Sequence, residues 1–357
     1  MRFFKKTLTL LCALLALAGC SKAAEGEAPS ETPAAGGGEK TALSALAPEL
    51  SAAREGFALR PEAWLGENIL IATANALGTE KACRIYICHL SESKAHLVYT
   101  ADEENPPLWC YDNGDAYRIF VGGKRAALIT AEKADFSVKI TPLKTEFPLA
   151  VNKNGLCVGR EGDSPYIEDA FTKNCIIIPK SGIFDPISPG GAWSANGRFL
   201  ALCEADLYSS PAVYTYLVFD SEADKIVFEK TVESCSQSDL CFWYGSENIL
   251  CFTSFTEDGC AILTAADISG GAERKVQVEK ENFLDFAGTT SLGVMLSGGG
   301  SSSEDKSRFC LLLINPFDET AKTVYNGGDC PVLARPDGKA AFIKHGEEYY
   351  FIPLKTG

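Results

Sequence analysis

Three histidines are the side chains best suited to proton transfer near neutral pH. His89 lies in the run YICHL, His96 opens a second apolar run, and His345 sits in a Lys-His-Gly turn. Each could act as a general base, but a satisfied or solvent-exposed imidazole is the preferred reading for all three. Asp220, Glu222 and Asp224 (DSEAD) place carboxylates at alternate positions, the donor type that calcium takes. The segment lacks the glycine and downstream glutamate of a calcium loop, so a solvated acidic hairpin turn is preferred. Gly298 to Asp305 (GGGSSSED) precedes Lys306-Ser307 like a phosphate loop, but no glycine stands directly before the lysine. The next run, RFCLLL, reads as a strand rather than a helix. No Gly-x-Ser-x-Gly elbow is present. No catalytic residue, metal ligand or cofactor is therefore expected, and the ligand-binding residues stay unassigned.

Fourteen cysteines are the unusual feature of the composition. Twelve follow residue 80, and in an exported chain an even number invites a disulfide reading. Cys88, Cys157, Cys175, Cys203, Cys251 and Cys310 lie inside apolar strand runs, where cysteine behaves as a small buried hydrophobe. Mostly free thiols are expected, with Cys241–Cys251 and Cys251–Cys260 as the conceivable cross-hairpin pairs. A zinc site is not expected. There is no Cys-x-x-Cys, and Cys83 and Cys88 fall on opposite faces of one strand.

Residues 1–20 read as a secretion leader. Arg2, Lys5 and Lys6 precede an 11-residue apolar run, Thr7 to Leu17, too short to span about 30 Å of hydrocarbon. The run ends Leu17-Ala18-Gly19-Cys20, which resembles the bacterial lipobox. The resemblance implies diacylglyceryl transfer to the Cys20 thiol, cleavage before Cys20, and a membrane anchor through the N-terminal lipid. More than one acyl chain is needed for stable anchoring. Residues 21–50, rich in Ala, Gly, Glu, Pro and Ser, read as a flexible tether, because such a segment buries too little apolar surface to order itself. Within it and just beyond, Thr41 to Glu55 could form a short helix broken by Pro48.

From residue 51 to 357 the texture is that of one all-β domain. Short runs such as RIYICHL, HLVYT, VYTYLVFD and KIVFEK alternate with Gly, Asp, Asn, Ser and Pro turns. The turns recur. WLGENILIA, WCYDNGDAYRIF, LAVNKNGLCV, WSANGRFLAL, WYGSENILCF, LDFAGTTSLGVML and LARPDGKAAFI begin near residues 64, 109, 149, 193, 243, 284 and 333. A period of about 40–50 residues with several short strands per unit is the mark of a β-propeller. WSANGRFLAL and ARPDGKAAFI resemble the Trp-Ser-Pro-Asp-Gly-Lys repeat of TolB-type, WD-repeat-like propellers. The expected fold is a β-propeller of seven four-stranded blades, with six or eight left open by the weaker copies. The last unit supplies only three strands, so an N-terminal strand, expected at Gly56 to Arg60, must close the ring. Trp64, Trp109, Trp193 and Trp243 follow the period and are expected to pack between blades.

With 33 Lys plus Arg against 47 Asp plus Glu, the chain has a formal charge of −14. That argues against a nucleic-acid partner, which needs a basic face. The expectation is an extracytoplasmic, lipid-anchored propeller that binds a protein or small ligand without transforming it. The rival classes are a glycan hydrolase or lyase, with carboxylates gathered from several blades, and an envelope-assembly component of the TolB kind.

Overall fold

The computed structural model describes residues 40–355, apart from 79–80, 146–147, 162–163, 180–183, 190–191, 237–239, 246–247, 279–280 and 301–308. The leader, Cys20 and most of the expected tether lie outside the described residues. The described chain is all-β save for one 3-10 turn and one six-residue helix. Its strands form seven sheets, antiparallel but for one short parallel addition, arranged as a seven-bladed β-propeller. Blade 1 is Phe57–Gly66, Ile69–Ala76, Cys83–His89 and Lys94–Ala101. Blade 2 is Leu108–Asp112, Ala116–Val121, Ala127–Glu132 and Val138–Pro142. In blade 5 a short segment, Ser188–Pro189, adds in parallel to Leu240–Trp243. The first strands of blades 5, 6, 7, 1 and 2 touch in succession, which puts the first strands on the inner ring. Each of the seven repeat anchors falls on or beside the first strand of its blade.

The repeat is legible because its turns share one hydrogen-bond plan. Asn196 Oδ1 accepts the Arg198 N–H at 2.8 Å, and Asp337 Oδ1 accepts the Lys339 N–H at 2.9 Å. The intervening Gly197 and Gly338 take φ of +79° and +72°, which glycine adopts without steric cost. Asp220 belongs to this scaffold. Its buried carboxylate receives Arg198 Nε at 2.9 Å and caps the N–H groups of Glu222 and Ala223. The expected solvated acidic turn is therefore solvated only at Glu222 and Asp224.

Blades hold one another through apolar clusters that run around the ring. Ile71, Ile85 and Val98 of blade 1 pack on Tyr117, Ile119 and Val121 of blade 2. Phe120 and Leu128 of blade 2 meet Val151 and Cys157 of blade 3. Met295 and Leu311 of blade 6 meet Ala341 and Ile343 of blade 7. The tryptophans serve these seams as expected. The Trp64 ring lies 5.8 Å from that of Phe342 in blade 7, and Trp243 Nε1 donates to the Ala192 carbonyl at 3.1 Å.

An N-terminal strand closes the ring, but not the expected one. Gly56 to Arg60 runs into the inner strand of blade 1, where Phe57 to Arg60 pair with Thr73 to Ala76. Closure comes instead from Thr41–Ala42, which pair with Phe351 and Tyr350 as the fourth strand of blade 7. The folded part thus begins about ten residues earlier than the composition indicated. Pro48 opens the helix Pro48–Ala53 rather than breaking one, since proline lacks only an N–H that the first turn leaves unused. Leu43, Ala47, Leu50 and Ala53 are buried against Leu70, Ala72 and Phe342, which wedges this segment between blades 7 and 1. Lys40 Nζ and His345 Nδ1 both contact the Asp329 carboxylate, at 2.7 and 2.5 Å, and Arg54 pairs with Glu348. Burial pushes the Asp329 carboxyl up, but the hydrogen bonds from Lys40 and His345 outweigh it and hold it below the usual range.

None of the twelve cysteines after residue 80 forms a disulfide. Cys241 packs in the cluster shared with blade 4 and Cys251 in the one shared with blade 6, so these neighbours point apart and cannot pair. Cys88, Cys157, Cys251 and Cys310 are buried as expected, whereas Cys203 is half-buried and Cys175 is exposed. Cys175 sits on a three-residue outer strand with no neighbour beyond it among the described residues.

Candidate functional site

Antiparallel alternation puts the blade-to-blade crossings and the second-to-third strand turns at one end of the ring. The crossing from blade 1 to blade 2, residues 102–107, borders two cavities at that end. One, of about 270 Å³, is lined by Arg60, Glu62, Ala63, Asn105, Pro106, Pro107, Leu108 and Cys110. The other, of about 470 Å³, is lined by Lys81, Asp102, Glu103, Glu104, Lys124 and Arg125. The crossing is pinned on both sides. The Asn105 N–H donates to Asn75 Oδ1 at 3.0 Å in blade 1. Glu103 Oε1 accepts the Lys124 N–H at 2.7 Å, and Asp102 pairs with Arg125, both in blade 2.

Glu62 is the distinctive group of the smaller cavity. It is the extra residue of a β-bulge: Pro61 pairs with Ala72 and Ala63 with Ile71, leaving Glu62 without a cross-strand partner. A bulge re-aims a side chain that regular alternation would place elsewhere. The buried Thr73 hydroxyl donates to Glu62 Oε1 at 2.6 Å, and Arg60 Nε lies 3.6 Å from the same oxygen. The side chain is only 20% exposed, and this burial raises its pKa above the ordinary carboxylate range despite the pull of Arg60 and Thr73. Burial also pushes the thiols beside it up, Cys83 to about 12 with help from the Glu62 charge, and Cys110 further. Neither thiol is a ready nucleophile, because the thiolate is the reactive form.

The residues singled out in the sequence lie elsewhere. His89 and His96 flank Phe136, with His96 stacked on it at 4.1 Å and His89 edge-on at 4.7 Å. This aromatic group sits beside the third-to-fourth strand turns, at the opposite end from Glu62. Among the described residues the buried His89 Nε2 has no hydrogen-bond partner, and burial lowers its pKa. His345 belongs to the Asp329 clasp. The glycine-rich segment is framed by the strands Gly293–Gly300 and Phe309–Asn315, as a hairpin loop requires, while 301–308 lie outside the described residues. Among the described residues no three His, Cys, Asp or Glu side chains are grouped to hold a metal, and no helix is long and apolar enough to cross a membrane. Sequence reading passed over Glu62, although a signal was there: a proline inside a strand run marks a bulge or an edge, and Pro61 stands beside it.

The class defined by this architecture is the seven-bladed propeller, and solved structures agree. An oligogalacturonate lyase in complex with manganese aligns with a TM-score of 0.57 at 14% identity, covering 92% of this chain and 96% of that one. Protein lmo1340 of Listeria monocytogenes EGD-e aligns at 0.53 and 12% identity, over 82% and 90% of the two chains. The Cps50 (Swd1) β-propeller domain of Myceliophteria thermophila aligns at 0.51 and 9% identity, over 83% and 100%. These similarities show the fold alone. No family model and no curated protein matches the chain.

Proposed function

We propose that this chain is a lipid-anchored extracytoplasmic propeller whose working face is the crossing end at blades 1 and 2, and that it binds a ligand there without transforming it. The observation that carries the reading is the bulged Glu62 in a cavity whose walls are pinned before any ligand arrives. Pre-formed walls with a few converging polar groups are what binding sites share. The anchor rests on Leu17-Ala18-Gly19-Cys20 behind a charged, apolar leader. The acidic net charge favours cationic or dipolar partners through steering and disfavours nucleic acid.

Two experiments test the reading. Cys20→Ser should abolish labelling by radioactive palmitate and move the protein from the membrane to the soluble fraction; a variant that stays in the membrane overturns the anchor. Photo-crosslinking from a probe placed at Glu104 in the membrane-anchored chain should capture a saturable partner or ligand. A probe at the exposed Ser51 should not, and equal capture from both positions overturns the site.

A glycan lyase or hydrolase is the second reading. A carboxyl held above its ordinary pKa, as Glu62 is, suits a general acid, and the lyase that shares this fold shows that such rings can host that chemistry. Incubation with oligogalacturonate and with neutral oligosaccharides, followed for unsaturated or reducing ends, decides it. Product formation that Glu62→Gln abolishes would replace the binding reading.

A further inference from the structure

The cavity at the blade 1 and blade 2 seam holds two opposite charges that the protein leaves half-used. Thr73 and Arg60 both address Glu62 Oε1. Among the described residues Glu62 Oε2 and the terminal nitrogens of Arg60 have no hydrogen-bond or ion-pair partner. The Arg60 Nε contact, at 3.6 Å, is longer than a hydrogen bond. The remaining lining is apolar at Ala63, Pro106, Pro107 and Leu108, with one thiol at Cys110 and one amide at Asn105.

We propose that this cavity binds a free α-amino acid with a small apolar side chain, its ammonium on Glu62 and its carboxylate on Arg60. This rests on the ligand-binding reading of the same cavity and names the ligand. The charge pattern excludes simpler ligands. An amine alone would gain Glu62 but meet the Arg60 charge a few ångströms away. A carboxylate alone would gain Arg60 but meet Glu62. A zwitterion whose two charges are one carbon apart satisfies both neighbours at once, and charge-assisted hydrogen bonds are the stronger kind. Size agrees. About 270 Å³ lies just under the range of drug-sized sites, which suits a molecule of few atoms and not a polysaccharide or a folded partner. Pro106, Pro107 and Leu108 give a short aliphatic side chain a surface to pack on.

Titration calorimetry on the purified full-length chain tests this with L-valine and two single-charge analogues, isobutylamine and isobutyrate. L-valine should bind one to one. Each analogue should bind at least tenfold more weakly, and Glu62→Gln and Arg60→Met should each weaken L-valine at least tenfold, while the analogue relieved of the repelling charge (isobutyrate in Glu62→Gln, isobutylamine in Arg60→Met) should bind more tightly than it does to wild type. Thermal melts of both variants report that they remain folded. Three results overturn the proposal: no saturable L-valine binding, isobutylamine or isobutyrate matching L-valine, or either variant binding like the wild type. Failure here is separable from failure of the binding reading. A partner captured by the Glu104 probe in a chain that ignores L-valine leaves that reading standing, whereas the absence of both removes it too.

Discussion

Replacing Leu50 by alanine asks whether the segment before residue 51 belongs to the ring. Leu50 is fully buried on the short helix Pro48–Ala53, among Leu43, Leu70, Ala72 and Phe342. Truncation removes three carbons, about 2.4 kcal/mol at roughly 0.8 kcal/mol per buried methylene. Strands of two blades wall the hole and relax little, so a cavity term raises the cost to about 3–4 kcal/mol, within the usual 2–5 kcal/mol range. At about 2 °C per kcal/mol for a domain of this size, the melting temperature should fall by about 6–8 °C. Ser51→Ala, one residue on but exposed, should cost less than about 0.5 kcal/mol and shift the melt by about 1 °C. Circular dichroism melts of the two variants beside wild type suffice. If Leu50→Ala melts within a degree of wild type, residues 41–53 are tether after all, and closure by Thr41–Ala42 is wrong.

Three further outcomes follow from groups whose environments differ between folded and unfolded chains. Hydrogen bonds from Arg198 hold the Asp220 carboxyl below its usual pKa, so its contribution is full above about pH 4 and fades as pH falls through the folded value. Asp220→Asn should cost about 1–3 kcal/mol at pH 7, discounted because Arg198 is 39% exposed, and the gap to wild type should close in acid. Equal gaps at pH 7 and pH 3 would count against the pair. Burial raises the Glu62 pKa, so wild type loses stability as pH rises from about 4.3 through the folded value. Glu62→Gln, which can still accept from Thr73, should then be at least as stable as wild type at pH 7; a markedly less stable variant would sink the assignment. For the thiols, native labelling should modify Cys175 and Cys235 first. Cys83, Cys88 and Cys157, pushed up to about 12 by burial, should react only on unfolding, and zero free thiols in denatured, unreduced protein would refute the free-thiol state.

The ring was legible because its information is local. Gly197 and Gly338 each follow an Asn or Asp that caps the turn, so the period survives where the flanking strands diverge. Even the missing fourth strand of blade 7 could be inferred by counting. What counting could not choose was its donor. GFALR reads as a better strand than Thr41–Ala42, but it is needed inside, pairing with Ile69–Ala76. Two backbone pairs at Thr41 and Ala42 carry little propensity of their own, and the segment is ordered by Leu43 and Leu50 finding a seam that exists only once the ring has formed. Composition sees a run rich in alanine and proline there and reads a tether. Asp220 was misjudged for a related reason: its burial depends on Arg198, more than twenty residues away.

Glu62 shows how a site escapes a pattern-based reading. In a regular inner strand, alternation fixes which face each side chain meets, and a charged residue in such a run reads as solvent-facing. The bulge breaks that parity. It shifts Glu62 out of the ladder, against a buried threonine and beside the thiols of buried Cys83 and half-buried Cys110. Blade 7 has a bulge of the same kind in its inner strand, between Pro331 and Leu333, again at a proline. There the extra residue is Val332, which packs into the apolar cluster between blades 7 and 1. The same backbone irregularity thus presents an apolar side chain in one blade and a desolvated carboxylate in the next. The bulge alone therefore does not make a site. What distinguishes blade 1 is that the re-aimed residue is ionisable, has a cation two residues before it, and opens onto a cavity with fixed walls. Exchanging Glu62 and Thr73 together for valine removes both the charge and the buried hydroxyl that donates to it, and should convert blade 1 to the blade 7 arrangement: a fold as stable as wild type or more so, with the ligand lost.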